Sequence, residues 1–136
     1  MYRNEPLDKY LLDAAAGTPA PGGGSIAAFV GALATTMVSM SAKFTVGKEE
    51  FKQFDSQLKK ILEECEKSRE TLLSLMEEDV KVYGEVNKAL ELSKSNEAER
   101  NKRSEAIQKA TIMAMIVPLK ATMCCLYVLQ QTRALV

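Results

Sequence analysis

The chain has no histidine and no tryptophan, and its acidic and basic residues balance at 18 each over 136 residues. Without histidine, the usual neutral-pH proton shuttle and the commonest metal ligand are both missing. Acid–base chemistry must then fall to Asp, Glu, Lys, Tyr or Cys. A zero net charge supplies no global field toward nucleic acid or an anionic membrane, so neither is expected as a partner. The three cysteines, Cys65, Cys124 and Cys125, are odd in number and lack metal-ligand spacing. They read as reduced cytosolic thiols in a core, with no disulfide framework and no metal site expected. Arg3, Glu5, Asp8 and Lys9 interrupt the N-terminus, so no secretory signal is expected.

Strand-like alternation is also missing, and helical periodicity runs through the sequence instead. The expectation is one all-α domain over residues 1–136, an antiparallel helical bundle. Pro6 suits the first turn of a short helix carrying Leu7, Tyr10, Leu11 and Ala14, and Gly17 is placed to end it. From Ser25 to about Thr45 the chain is uncharged until Lys43, with Ala27, Gly31, Thr35 and Ser39 at four-residue spacing. Small residues at that interval let helix backbones approach closely, which predicts a central buried helix. A membrane span is the rival reading, because the uncharged run is near the lower length limit for crossing a bilayer.

Gly47-Lys48 breaks this pattern, and one long amphipathic helix is predicted from about Glu49 to Leu92. Its stripe includes Leu58, Ile61, Cys65, Leu72, Leu75, Met76, Val82, Tyr83, Val86 and Leu90. After the polar break at Ser93–Asn96, a mixed-charge helix begins near Glu97, with a solvated face to Lys109. It turns apolar beyond Ile107, with Met113, Met115 and Met123 as core filler. Pro118 is expected to kink or split it, leaving a last helix toward Val136. The low charge of Ser25–Ala42 and Ala110–Val136 predicts two buried helices wrapped by amphipathic ones.

Two places could carry chemistry. Pro19-Ala20-Pro21-Gly22-Gly23-Gly24-Ser25 sets three glycines, able to take φ > 0 or to approach another molecule closely, before a helix. Ser25 could cap that helix and leave first-turn N–H groups for an anion. A turn that merely lets two helices pack is the equal alternative. The dinucleotide pattern G-x-G-x-x-A is matched but lacks its strand, and Gly47-Lys48 lacks the upstream glycine of a P-loop, so neither nucleotide motif applies. Asp79 is the second place, a carboxylate on the buried stripe among Leu75, Met76, Val82 and Tyr83. Burial would raise its pKa and suit it to acid–base work near neutrality. An ion pair or helix–helix hydrogen bond, for example with Lys43 or Lys120, is the structural alternative. Glu77, Glu78 and Lys81 fall off the stripe and should be solvated, and Lys48 could meet an anionic substrate tail or remain a surface lysine.

Thr18 to Phe51, TPAPGGGSIAAFVGALATTMVSMSAKFTVGKEEF, closely resembles the start of the cyclodeaminase/cyclohydrolase family. That family includes the C-terminal half of formiminotransferase-cyclodeaminase and stand-alone methenyltetrahydrofolate cyclohydrolases. Leu75–Tyr83, with Asp79 followed four residues later by an aromatic, is similar to the family's acidic segment, and Val117-Pro118-Leu119 to its later V-P-L step.

The resemblance implies a cytoplasmic, all-helical homodimer acting on the N5/N10 carbon of tetrahydrofolate, with no metal or redox cofactor. A formiminotransferase partner is a further implication. Asp79 would be the acid–base residue; Gly22, Gly23, Gly24 and Ser25 would line the folate site, with Tyr83 beside it and Lys48 on the glutamyl tail. Deamination and hydrolysis are both compatible with these residues. Family domains continue through further helices with a G-N pair and an S-D-rich segment, so a C-terminally incomplete domain is expected. The alternative to an enzyme is a non-catalytic helical dimerisation or folate-binding module.

Overall fold

In the computed structural model, which describes residues 1–133 and 135, the chain is helical and no strand occurs among the described residues. The helices are α1 (Leu7–Ala15), α2 (Gly23–Thr45), α3 (Asp55–Glu91) and α4 (Glu97–Thr132). Short 3-10 turns, Tyr2–Asn4 and Glu49–Phe54, precede α1 and α3. Gly17 and Gly47 take φ of 73° and 81°, the left-handed values that stop α1 and turn the chain between α2 and α3. The Gly47 N–H donates to Asp55 Oδ1 at 2.9 Å, which closes that turn onto the first residue of α3.

α2 and α3 are antiparallel, as are α3 and α4, so α4 runs parallel to α2. The core lies where these three meet, in two successive parts. One gathers Tyr10, Ala28, Ala32, Leu72, Leu75, Met76, Val117 and Ala121; the other Val38, Ala42, Leu58, Ile61, Cys65 and Val128. Between them the buried hydroxyls of Thr35 and Ser39 donate to the carbonyls four residues back, Gly31 at 2.8 Å and Thr35 at 3.1 Å. Those bonds let hydroxyl side chains sit at a tight helix contact without unpaired polar atoms.

Several expectations need correction. α2 is half-buried, not enclosed. Its small face (Ser25, Ala28, Ala32, Thr35, Ser39, Ala42) is inside, while Ile26, Val30, Leu33, Met37, Met40 and Phe44 are exposed. The apolar half of α4 buries Val117, Ala121 and Val128 but exposes Met113, Met115 and Met123, so these methionines are not core filler. Both α2 and α4 have the length and apolar composition of a membrane span. Pro118 does not split α4, which continues through it to Thr132. Proline removes one backbone donor but leaves the flanking turns free to propagate, and here those turns are held against α3. Cys65 is buried and Cys124 and Cys125 are partly so, all as free thiols.

Gly31 sits at the three-helix contact. A Cβ there would lie 2.6 Å from Cys125 Sγ and 3.3 Å from Leu72 Cδ2. Overpacking of this kind costs about 1–3 kcal/mol, against about 1 kcal/mol returned by replacing a helical glycine with alanine. Gly31→Ala is therefore expected to lose about 1 kcal/mol net. The loss should largely disappear in a Cys125→Ala background, which opens the space. Urea midpoints of the four proteins check this, and strictly additive losses would contradict it.

Candidate active site

The glycine-rich loop delivers α2 onto α3 at Asp79. α2 begins at Gly23 with Gly22 as its N-cap, so Ser25 is the third helical residue and not the cap. Its backbone N–H, one of the first-turn donors with no partner inside the helix, donates to Asp79 Oδ2 at 2.9 Å. The anion met by this helix start is the protein's own carboxylate. The Ser25 hydroxyl donates to the Met76 carbonyl at 2.9 Å, which occupies its one proton. The Tyr10 hydroxyl, 2.9 Å away, is therefore the donor to Ser25 Oγ. One serine thus ties α1, α2 and α3 together through three hydrogen bonds, and both its side chain and the Tyr10 ring are buried.

The three glycines are not equivalent. None of them takes positive φ, so left-handed backbone is not what this loop requires. At Gly24 a Cβ would fall 2.2 Å from Asp79 Oδ1 and 2.8 Å from its Cγ, space the carboxylate already fills. A Cβ at Gly22 would come no closer than 3.6 Å to the Pro19 carbonyl, and one at Gly23 would meet nothing within 4 Å. Close approach therefore demands glycine at Gly24, while Gly23 faces open space. Pro21 is buried, and the Ala20–Pro21 peptide is cis.

Asp79 itself is half-buried. Burial pushes its carboxyl above the ordinary value, and the Ser25 N–H offsets part of that rise by stabilising the charged form. Among the described residues it makes no ion pair, so neither Lys43 nor Lys120 plays the structural role considered for them. The helix–helix hydrogen bond does exist, but to the α2 backbone. Burial also raises the Tyr10 hydroxyl, and the Asp79 charge adds to the rise.

The remaining candidates are divided. Tyr83 lies one turn beyond Asp79 on α3, at 40% exposure. Lys48 is elsewhere: it is exposed just past the C-terminal end of α2, whose N-terminal end holds the site. The intervening 23-residue helix spans about 34 Å, so Lys48 is not part of this chain's Asp79 site. Glu77, expected in solvent, is buried at 6% exposure. Its Oε1 accepts the Arg3 backbone N–H at 3.0 Å, because the N-terminal turn folds back over α3. Periodicity within α3 carries no information about that covering segment. Helical spacing marks Tyr10 only as an apolar position, whereas its hydroxyl reaches the site; a tyrosine on the buried face of a helix entering the glycine loop is the available signal.

With this geometry in view, the comparisons are specific. A family model described as Formiminotransferase-cyclodeaminase matches residues 6–136. The chain is 35% identical over 125 residues to a protein named Methenyltetrahydrofolate cyclohydrolase from Methylorubrum extorquens, covering 92% of this chain and 60% of that one. It is 32% identical over 114 residues to Formimidoyltransferase-cyclodeaminase of Mus musculus, covering 84% of this chain and 21% of the mouse protein. The chain thus spans about three fifths of the bacterial relative and a fifth of the mouse one. A solved structure of formiminotetrahydrofolate cyclodeaminase from Thermotoga maritima shares the fold, with TM-score 0.65 and 22% identity, over 99% of this chain and 78% of that one. With the Pro/Gly loop, the small-residue helix and the Asp79 segment all inside the matched residues, the chain belongs to the formiminotransferase-cyclodeaminase family.

Proposed function

We propose that this chain acts in folate one-carbon chemistry, at the carbon bridging N5 and N10 of tetrahydrofolate, with Asp79 as its acid–base residue. The observation that carries the reading is the Asp79 carboxylate, desolvated, free of any ion pair among the described residues and anchored through one oxygen by the Ser25 N–H. The relatives' names supply the substrate class: a methenyltetrahydrofolate cyclohydrolase and a formimidoyltransferase-cyclodeaminase.

In the hydrolytic direction, water adds to the methenyl carbon while Asp79 takes its proton. The tetrahedral carbon then releases N5, which receives a proton from the carboxyl, while the hydroxyl oxygen gives up its remaining proton to solvent and closes to the formyl C=O on N10. In the cyclising direction, N10 attacks the carbon of the protonated formimino group and loses its proton to Asp79, and that proton is returned to the amino nitrogen, which departs as ammonia and leaves the methenyl cation. One carboxyl with a raised pKa serves both steps in either reaction. Gly22 and Gly23 offer Cβ-free backbone to the folate, Gly24 and Ser25 hold the carboxylate, and Tyr83 flanks it one turn away. No metal or redox cofactor enters these steps. Lys48, past the far end of α2, takes no part in a site built within one chain.

We further read the protein as a cytoplasmic homodimer, in keeping with its free thiols and with the exposed apolar side chains along α2 and α4. A formiminotransferase partner is proposed on the bifunctional relative's name alone. The same uncovered surface favours a second reading, a helical dimerisation or folate-binding module without turnover. Folate binding with no chemistry would select it.

The direct test follows the ultraviolet absorbance of methenyltetrahydrofolate. Wild-type protein is expected to accelerate its loss over buffer, and Asp79→Asn to reduce the enzymatic rate by about 100-fold or more. Equal rates for the two proteins would remove Asp79 from the chemistry.

Gly24→Ala should displace the carboxylate and lower turnover at least about tenfold. Gly23→Ala, with open space at the new methyl, should match wild type in urea midpoint, whereas Gly24→Ala should fall below it.

The pH dependence of stability has a defined sign. The folded state holds the Asp79 proton more tightly than the unfolded chain, so its stabilising contribution is present at low pH and lost as pH rises through the raised value. Asp79→Asn escapes that loss. Its stability relative to wild type should therefore increase between about pH 3 and pH 7, as read from paired urea titrations. A difference that stays flat or runs the other way would contradict a raised Asp79.

A further inference from the structure

α1 is a nine-residue helix that leaves Leu7, Leu11 and Leu12 exposed and buries Tyr10, at 3% exposure. Apolar packing alone therefore accounts poorly for its place in the fold. What α1 delivers to the interior is one phenol, whose hydroxyl ends on Ser25. The ring is held on two sides. Tyr2 stands edge-to-face at 5.1 Å between centroids and Phe29 at 5.4 Å, and the Tyr2 hydroxyl is itself fixed on Asp13 Oδ2 at 2.8 Å. Phe29 lies one turn beyond Ser25 on α2, so the tyrosine engages the first two turns of that helix.

Ser25 in turn grips α3 at two points one turn apart. Its hydroxyl donates to the Met76 carbonyl and its backbone N–H to Asp79 Oδ2, both at 2.9 Å. With its single proton on Met76, Ser25 Oγ has a lone pair left for a donor, and Tyr10 supplies one. Burial raises the Tyr10 hydroxyl above its ordinary value, so it stays a donor across the neutral range. Among the described residues Tyr10 makes no hydrogen bond to Asp79, so its hold on the carboxylate passes through Ser25. The other carboxylate oxygen, Oδ1, lies against Gly24 and accepts no hydrogen bond among the described residues, which leaves it to exchange a proton.

We propose that Tyr10 is a positioning residue for Asp79: by donating to Ser25 Oγ it holds the first turn of α2 so that the Ser25 amide stays on Oδ2 and Oδ1 is left for the proton transfers. This rests on the reading of Asp79 as the acid–base residue. Loosening that turn would lengthen the amide–carboxylate bond, remove part of what stabilises the charged form and raise Asp79 further. Few other groups could produce such a change. α2 carries no charged residue before Lys43, and α4 brings Val117 and Ala121 to this part of the core. On α1, Lys9 and Asp13 are paired with each other, and on α3 Tyr83 is the titratable neighbour one turn away.

The test compares wild type with Tyr10→Phe, which keeps the ring and its stacking and removes the hydroxyl. For methenyltetrahydrofolate loss above the buffer rate, kcat is expected to fall about tenfold with KM within about twofold. The acid limb of the kcat/KM profile, set by the basic form of Asp79, should move to higher pH. In isotope-labelled protein without substrate, the Ser25 amide proton should move upfield, and its titration, which follows the Asp79 charge, should shift to higher pH as well. Asp79→Asn should abolish that titration, which assigns it.

Ser25→Ala, which retains the amide but loses both side-chain bonds, should displace the pH limb and the amide titration in the same direction. Adding Tyr10→Phe to it should move neither further. Tyr2→Phe, which keeps its ring and loses the Asp13 bond, should leave both where wild type has them. A Tyr10→Phe protein that is less stable but has an unmoved limb and amide, or additive shifts in the double variant, would overturn the proposal. If Asp79→Asn turns over like wild type while the Tyr10→Phe amide titration shifts, the coupling stands and the catalytic reading fails. If Asp79→Asn is inactive and both Tyr10→Phe readouts keep their wild-type values, the catalytic reading stands and Tyr10 has no part in it.

Discussion

The hydrogen bond from the Ser25 backbone to Asp79 is the constraint on which the rest of this fold depends. A helix start carries N–H groups with no internal partner and a partial positive charge, and a half-buried carboxylate needs a donor. Each satisfies the other. The contact sets the register of α2 against α3, since Gly24 must lie over the carboxylate while the Ser25 side chain reaches Met76 and Tyr10. From that point the small face of α2 runs down α3, and α4 closes over both through Val117, Ala121 and Val128. The same register leaves the far end of α3 without α2 above it, which is why the stripe past Asp79 is open.

The elements were legible because each carries its own period or stop signal. Gly17 and Gly47 end helices where positive φ is needed, and the α3 stripe identified Asp79 as a carboxylate on an inward face. What the sequence did not disclose is how many neighbours each face would find. A 3.6-residue period separates the two sides of a helix but does not count the layers outside it. Hence Met113, Met115 and Met123 read as core and are exposed, while Glu77 reads as solvated and is covered by the N-terminal turn. Lys48 shows a second limit. The resemblance implied a contact with the substrate's tail, but the 23-residue α2 carries Lys48 to the end of the bundle opposite the glycines.

The glycine run offers two uses, left-handed backbone and close approach without a Cβ, and the structure uses the second. Backbone freedom suggested left-handed turns, yet none of Gly22, Gly23 and Gly24 adopts one. What matters at Gly24 is the missing Cβ. Ser25 likewise acts through its third helical position: its amide holds the carboxylate and its hydroxyl joins two other helices. Both signals concern the approach of a backbone to something that needs room. Part of that something is Asp79, and Gly23 remains open to what lies outside the chain.

A site without histidine must tune a carboxylate, and two opposing effects do so here. Burial raises Asp79 and the Ser25 amide lowers it, with burial the larger. If the amide were absent, the carboxyl would rise further and lose its fixed orientation. If a lysine paired with it, as Lys43 or Lys120 would have, the charged form would be stabilised and the proton given up too readily for return to a leaving nitrogen. A neutral backbone donor orients the group at a smaller electrostatic cost to its basicity than a full positive charge would impose.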